Sequence, residues 1–198
     1  MARPRQFDEE RALDAAMRTF WECGYEAAST QDLCDATGLG RSSIYNTFRS
    51  KHELFARSLA RYLDTMADAQ EAVLDDVSRP PGERVRALLD KIVADEFDHR
   101  PDGRSLGCLA VNSTVELAAR EPEVARLLDR DAARRLRSLS GVIAAGLRDG
   151  SITSGRGPDA LARYVNAVIG GMRIAAQGGA DRAAVQTVAD TALDALIR

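Results

Sequence analysis

Only two histidines, His52 and His99, and three cysteines occur in this 198-residue sequence. Hydrolytic and metal-dependent chemistry draws on clustered His, Cys or carboxylate side chains. Neither an H-E-x-x-H nor a G-x-S-x-G pattern is present, so no enzyme, no metal site and no cofactor is expected. Cys23, Cys34 and Cys108 form neither a paired framework nor a zinc spacing, which fits a reduced compartment. No stretch approaches the roughly 18 consecutive apolar residues of a membrane span. Met1 to Gln6 leads into Asp8-Glu9-Glu10 rather than a hydrophobic run. That start is unlike a secretory signal, and a cytoplasmic protein is expected. Positive charge is not in excess either: 27 Lys and Arg stand against 30 Asp and Glu, a net charge of -3. Nucleic-acid binding would therefore have to rest on a local patch.

Aromatic residues are thin at 5%, although hydrophobic residues make up 45% of the chain, mainly Ala, Leu and Val. Ala and Leu lead the helix-propensity ranking, and the residues that favour strands are scarce. An all-α fold of about nine helices follows. The first runs from about Asp8 to Cys23, with Leu13, Ala16, Met17 and Phe20 on one stripe and Gly24 placed to end it. A short helix fits Thr30 to Thr37, capped by Ser29 or Thr30. Only Gly38-Leu39-Gly40 separates it from another at Arg41 to Phe48. Ser50-Lys51-His52-Glu53 reads as a reciprocal capping box opening a long helix to about Val77. Beyond the break at Ser78 to Gly82, helices are expected at about Gly82 to Asp98, Cys108 to Arg120, Pro122 to Gly150, Pro158 to Gln177 and Asp181 to Ile197. On their faces Cys23 and Cys34 read as core.

Two short helices across a glycine-bearing turn, braced by a longer one, make a helix-turn-helix. Its second helix must be slim enough for a DNA major groove and carry groups that meet base edges and phosphates. Arg41, Ser42, Ser43, Tyr45 and Asn46 supply them, with Ile44 and Phe48 left to face the core. Between Gly40 and Arg57 the charges are Arg41, Arg49, Lys51 and Arg57 against Glu53 alone. Arg3 and Arg5 read as a short flexible basic arm.

Residues 10–55 resemble the DNA-binding domain of the TetR family of regulators. The likeness is carried by Ala16, Phe20, Gly24, Tyr25, Thr30, Leu33, Ala36, Gly38, Ser43-Ile44-Tyr45, Phe48, Ser50, Lys51 and Leu54. It implies that Thr30 and Lys51 contact backbone phosphates at two helix starts, where the helix N-terminus itself attracts phosphate. It also makes Arg41, Ser42, Ser43, Tyr45 and Asn46 the recognition-helix contacts. Asn46 stands where many relatives carry His or Arg, so their base preference does not transfer. Asn pairs well with adenine.

The resemblance divides the chain into a DNA-binding domain, 1–56, and a helical effector-binding and dimerisation domain, 57–198. It implies a homodimer through residues 158–197, with recognition helices about 34–36 Å apart on palindromic double-stranded operator DNA. A small-molecule or redox signal would release the repressor. Gly107-Cys108-Leu109 is similar to a segment in one branch of the family, some members of which sense oxidants or electrophiles through that cysteine. Redox sensing needs a stabilised, solvent-accessible thiolate, whereas free cysteine is usually a small buried hydrophobe. Tyr62, Met66, Phe97, Asn112 and Met172 are pocket-lining candidates by position. The competing reading is a helical interaction or scaffold protein with no DNA target.

Overall fold

A computed structural model describes the backbone of residues 3–98 and 105–197, with side chains from Glu9 onward. Among these residues all regular structure is helical: α1 Arg3–Cys23, α2 Thr30–Thr37, α3 Arg41–Phe48, α4 Lys51–Leu74, α5 Pro81–Asp98, α6 Leu109–Glu116, α7 Pro122–Asp149, α8 Pro158–Gln177 and α9 Arg182–Ile197. None of them is long and apolar enough to cross a membrane. Packing divides the chain into two compact units, Met1–Thr65 with Cys108–Asp129, and Met66–Gly107 with Arg130–Arg198.

In the first unit the α1 stripe is buried at Leu13, Ala16 and Phe20. Phe20 meets Phe55 of α4 edge-on, with ring centres 5.1 Å apart. Ser29 caps α2 through a reciprocal box: its hydroxyl accepts from the Asp32 amide at 3.1 Å, and Asp32 accepts from the Ser29 amide at 2.8 Å. Asp32 stands in this box where Glu or Gln is usual. Gly38, at φ 69°, ends α2 in the left-handed region that glycine adopts without strain. Ile44 and Phe48, one turn apart, tie α3 to the core.

Three expectations are corrected here. At Ser50 only half the box forms: its hydroxyl accepts from the Glu53 amide at 3.0 Å, but its own amide donates to the Phe48 carbonyl instead. The tight turn between α3 and α4 brings that carbonyl closer than any side chain. Cys23 is exposed and Cys34 half-buried. Spacing puts Cys23 on the apolar stripe, but it is the last helical residue, and burial of the stripe stops at Phe20. Finally, α1 begins at Arg3 rather than Asp8, so the backbone carrying Arg3 and Arg5 is helical rather than a free arm; their side chains lie outside the described residues.

The second unit is a helical core of α5, α8 and α9 with the later turns of α7. Val85, Leu89 and Ile92 meet Leu139, Ile143, Leu161, Val165, Met172, Val185, Ala189 and Leu193 in it. Gly82 is required at the start of α5, since a Cβ there would lie 2.6 Å from the Ser151 carbonyl oxygen. A charged pair, Glu96 and Arg173, is buried with this core at 4.0 Å, and the Ser105 hydroxyl also donates to Glu96.

Candidate nucleic-acid interface

Helix α3 divides cleanly into two faces. Arg41, Ser42, Ser43, Tyr45 and Asn46 are exposed, while Ile44 and Phe48 are buried at 1% and 0% of their surface. For Ser42, Ser43, Tyr45 and Asn46 the division follows from helical spacing, which turns them away from anchors one turn apart; Arg41 shares the anchors' register and is exposed as the first residue of the helix. Gly40 adds no side chain at the N-cap, so Arg41 starts a helix whose entry is bare.

Thr30 is the first residue of α2, and its Oγ1 lies 3.4 Å from the Tyr45 hydroxyl. The Arg41 guanidinium stands 5.9 Å from the centre of the Tyr45 ring. The hydrogen bond with Thr30, and then that with Arg41, hold the Tyr45 phenol below its usual range. Tyr45 is thus steered from both sides, and its hydroxyl joins the start of α2 to α3. Since the Ser29 box engages the Asp32 amide, the first amides of α2 remain at the positive end of the helix, a natural place for a phosphate.

Lys51 opens α4. Its Nζ donates to the Glu26 carbonyl at 3.4 Å and sits 4.7 Å from the centre of the Tyr25 ring. Tyr25 in turn packs against Phe55, with ring centres 4.9 Å apart. The phenol of Tyr25 is pushed up by its burial first, then by Glu121, Glu26 and Glu116. His52 follows Lys51 and approaches Glu123 at 3.3 Å and Glu121 at 3.9 Å.

Local positive charge is smaller than the sequence suggests. Arg57 pairs with Glu9 and covers the Phe48 ring at 5.0 Å, so it braces α1 and α3 instead of facing a ligand. Arg49 is exposed and ends α3 at φ 59°, a left-handed backbone that costs a non-glycine residue about 1 kcal/mol or more. Arg41, Arg49 and Lys51 remain as the basic groups around the two short helices.

Glu116 is a functional candidate that carries no signal in the sequence. The last residue of α6, it offers both carboxylate oxygens to the turn after α1, accepting from the Tyr25 amide at 3.1 Å and the Glu26 amide at 2.9 Å. No local pattern connects residues about ninety positions apart.

Of the residues considered for signal sensing, Tyr62 and Cys108 are brought together: the Tyr62 hydroxyl donates to the Cys108 sulfur at 3.4 Å, and both side chains are buried. The Trp21 ring stands edge-on to Tyr62 at 5.0 Å. Asn112 lies half-buried in the first turn of α6. In the second unit Met172 is wholly buried, Phe97 packs against the same core, and Met66 is half-buried on α4. Among the described residues no group of three or more His, Cys, Asp or Glu is arranged to hold a metal ion.

Comparison with known proteins matches residues 12–57 to the bacterial regulatory proteins of the tetR family. Residues 81–192, more than half of the chain, match the tetracyclin repressor-like C-terminal domain. The HTH-type transcriptional repressor ComR of Escherichia coli (strain K12) is 32% identical over 191 residues, 96% of this chain and 90% of ComR. The HTH-type transcriptional regulator YezE of Bacillus subtilis (strain 168) is 30% identical over 201 residues, 99% of this chain and 100% of YezE. A solved structure of CifR, a TetR family regulator complexed with 26-bp operator DNA, superposes with a TM-score of 0.81 at 29% identity, covering 94% of this chain and 95% of CifR. With an exposed short helix braced on a helix-turn-helix, both family models matched in order and a repressor aligned almost end to end, the chain belongs to the TetR family of helix-turn-helix transcriptional regulators.

Proposed function

We propose that this regulator is a repressor that binds a near-palindromic operator as a homodimer and is released by a small uncharged molecule. The observation that carries the DNA reading is the division of α3, with Arg41, Ser42, Ser43, Tyr45 and Asn46 exposed and both anchors buried. Residues 1–56 form the DNA-binding domain and 57–198 the effector and dimer domain. Thr30 and Lys51 take phosphates, Arg41, Ser42 and Ser43 the groove edge, and Tyr45 and Asn46 the bases. Dimerisation uses α8 and α9, which leave Tyr164, Ile174, Val188 and Ile197 exposed. On α8, Tyr164, Ala167, Gly171 and Ile174 share one stripe by spacing, and a stripe with small residues admits a second helix closely. Selection of duplexes from a random pool, then anisotropy titration at several salt concentrations, tests the reading. A near-palindromic sequence bound by two chains, with affinity falling steeply with salt, is the expected result. Folded protein that enriches no sequence overturns it in favour of the scaffold reading.

The effector site is the recess lined by Ala67, Gln70, Leu74, Arg135, Asn166 and Ile169 among others, which has roughly the room of one water and opens to admit a ligand. Gln70, 92% buried, lines this recess. Charges at the wall are already matched. Arg135 pairs with Asp131, and Arg134 donates to Glu71 at 2.9 Å and to Asp68 at 2.6 Å, holding the Glu71 carboxyl below its usual range. The amide of Gln70 at that wall suits a neutral carbonyl or hydroxyl on an apolar body. Hexanamide is therefore expected to raise the melting temperature of the DNA-free protein, and hexanoate and hexylamine to leave it unchanged. Gln70→Leu should weaken hexanamide binding about tenfold or more with operator affinity preserved. Equal response to all three compounds, or no effect of the substitution, sinks the assignment. A small-molecule signal is favoured over oxidation because Cys108 is 7% exposed and its sulfur is covered by the Tyr62 hydroxyl, short of the solvent access that thiolate chemistry needs.

A further inference from the structure

We infer that Glu116 is a positioning residue for operator binding, holding the Gly24–Glu26 turn so that the Glu26 carbonyl and the Tyr25 ring seat Lys51. The inference rests on the proposed reading of Lys51 as a phosphate contact, and adds a residue from outside the helix-turn-helix to the machinery that presents it. Gly24 adopts φ 81° and turns the chain at the end of α1, and the next two amides, of Tyr25 and Glu26, reach one carboxylate. Each takes a separate oxygen, at 3.1 Å to Oε2 and 2.9 Å to Oε1. A Cβ on Gly24 would lie 3.2 Å from Oε2, so the carboxylate occupies the hollow that the absent side chain leaves. Consecutive amides at such a turn make an anion-binding concavity, and here the anion is supplied by the protein itself.

The placement of Glu116 argues for a specific role. It is the last residue of α6, where the helix dipole disfavours negative charge. Two charge-assisted hydrogen bonds offset that cost. The turn they hold then acts on Lys51 twice: the Glu26 carbonyl accepts from Nζ at 3.4 Å, and the Tyr25 ring lies under the same ammonium at 4.7 Å. Lys51 is a long, flexible side chain, and without these two supports it would sample many rotamers. Ordering it before binding lowers the entropy lost on meeting a phosphate.

The test compares Glu116→Ala, Glu116→Gln, Lys51→Ala and the Glu116→Ala/Lys51→Ala pair in operator titrations over a range of salt, each variant checked by thermal melting. Glu116→Ala is expected to weaken binding about tenfold and to lower the slope of log affinity against log salt by about 1.8, roughly 0.9 for each of the two Lys51 side chains in the dimer, as Lys51→Ala does. The paired variant should be no weaker than Lys51→Ala alone, because one substitution has already removed what the other disturbs. Glu116→Gln retains a single acceptor oxygen and should fall between parent and alanine; it decides the matter if the alanine variant melts too low for titration. Parental slopes in both Glu116 variants beside a lowered slope in Lys51→Ala, or fully additive losses in the pair, overturn the positioning role. An unchanged slope in Lys51→Ala overturns the phosphate reading, and the inference with it.

Discussion

Replacing both Arg41 and Lys51 by Glu is expected to weaken operator binding by about a thousandfold without changing the fold. Each site contributes on the order of 1–3 kcal/mol as a nucleic-acid contact and the dimer presents each twice, so even at about 1 kcal/mol apiece the four lost contacts cost roughly 4 kcal/mol, close to three powers of ten. Reversal adds repulsion from the phosphates, and it leaves Arg49 as the exposed basic side chain at the end of α3. Arg57 does not compensate, being held by Glu9. The fold should survive because Arg41 is exposed, and because Lys51 contributes one long hydrogen bond and a ring contact rather than core packing. Anisotropy titration with the selected operator reads the loss, and melting curves with sedimentation confirm structure and self-association. A scaffold protein would show no specific affinity to lose. Retention of affinity within about tenfold of the parent would move the DNA-binding surface away from α3 and the start of α4.

Phe20→Ala should cost about 3–5 kcal/mol of stability, a large part of the roughly 5–15 kcal/mol that holds a typical domain together. The side chain is wholly buried, and it joins α1 to α4 through Phe55 and to the following turn through Tyr25, with ring centres 5.1 Å and 6.3 Å apart. Alanine leaves a cavity among rings that cannot all close over it. Trp21, the one tryptophan and the next residue in the chain, reports the change directly. Urea unfolding followed by its fluorescence should show a lower midpoint with an unchanged slope. Operator affinity should fall at temperatures where the variant still contains helix, because Tyr25 supports Lys51 and loses its own backing. A loss below about 1 kcal/mol would mean that this ring cluster is not what braces the helix-turn-helix.

Much of this architecture is written in local patterns. Leu13, Ala16 and Phe20 recur at helical spacing, Gly38 and Gly40 punctuate the two short helices, and Pro158 and Gly178 bound α8. Hydrophobic periodicity and turn residues are properties of neighbours in the chain, so they can be read without coordinates. Most of the exposed set on α3 was legible for the same reason: once Ile44 and Phe48 are the anchors, helical geometry leaves Ser42, Ser43, Tyr45 and Asn46 outside, while Arg41 shares the anchors' register and is exposed because it opens the helix.

Other features depended on which groups folding brings together. Arg57 counted as part of a basic patch until Glu9, 48 positions away, was found to neutralise it. Cys23 had the spacing of a core residue, yet the helix ends there and nothing buries it. The Ser50 amide had a plausible side-chain acceptor three residues on, but the turn offered the Phe48 carbonyl first. Glu116 carries no sequence signal, since a lone carboxylate at a helix end is ordinarily solvated. The order of the helices and most of the face that α3 shows were legible along the chain, because they follow from short-range sterics and the burial of apolar stripes. Which charges are neutralised and which carboxylate holds the turn under Lys51 emerged on folding, because electrostatic and hydrogen-bond partners are set by distance in space, not along the chain.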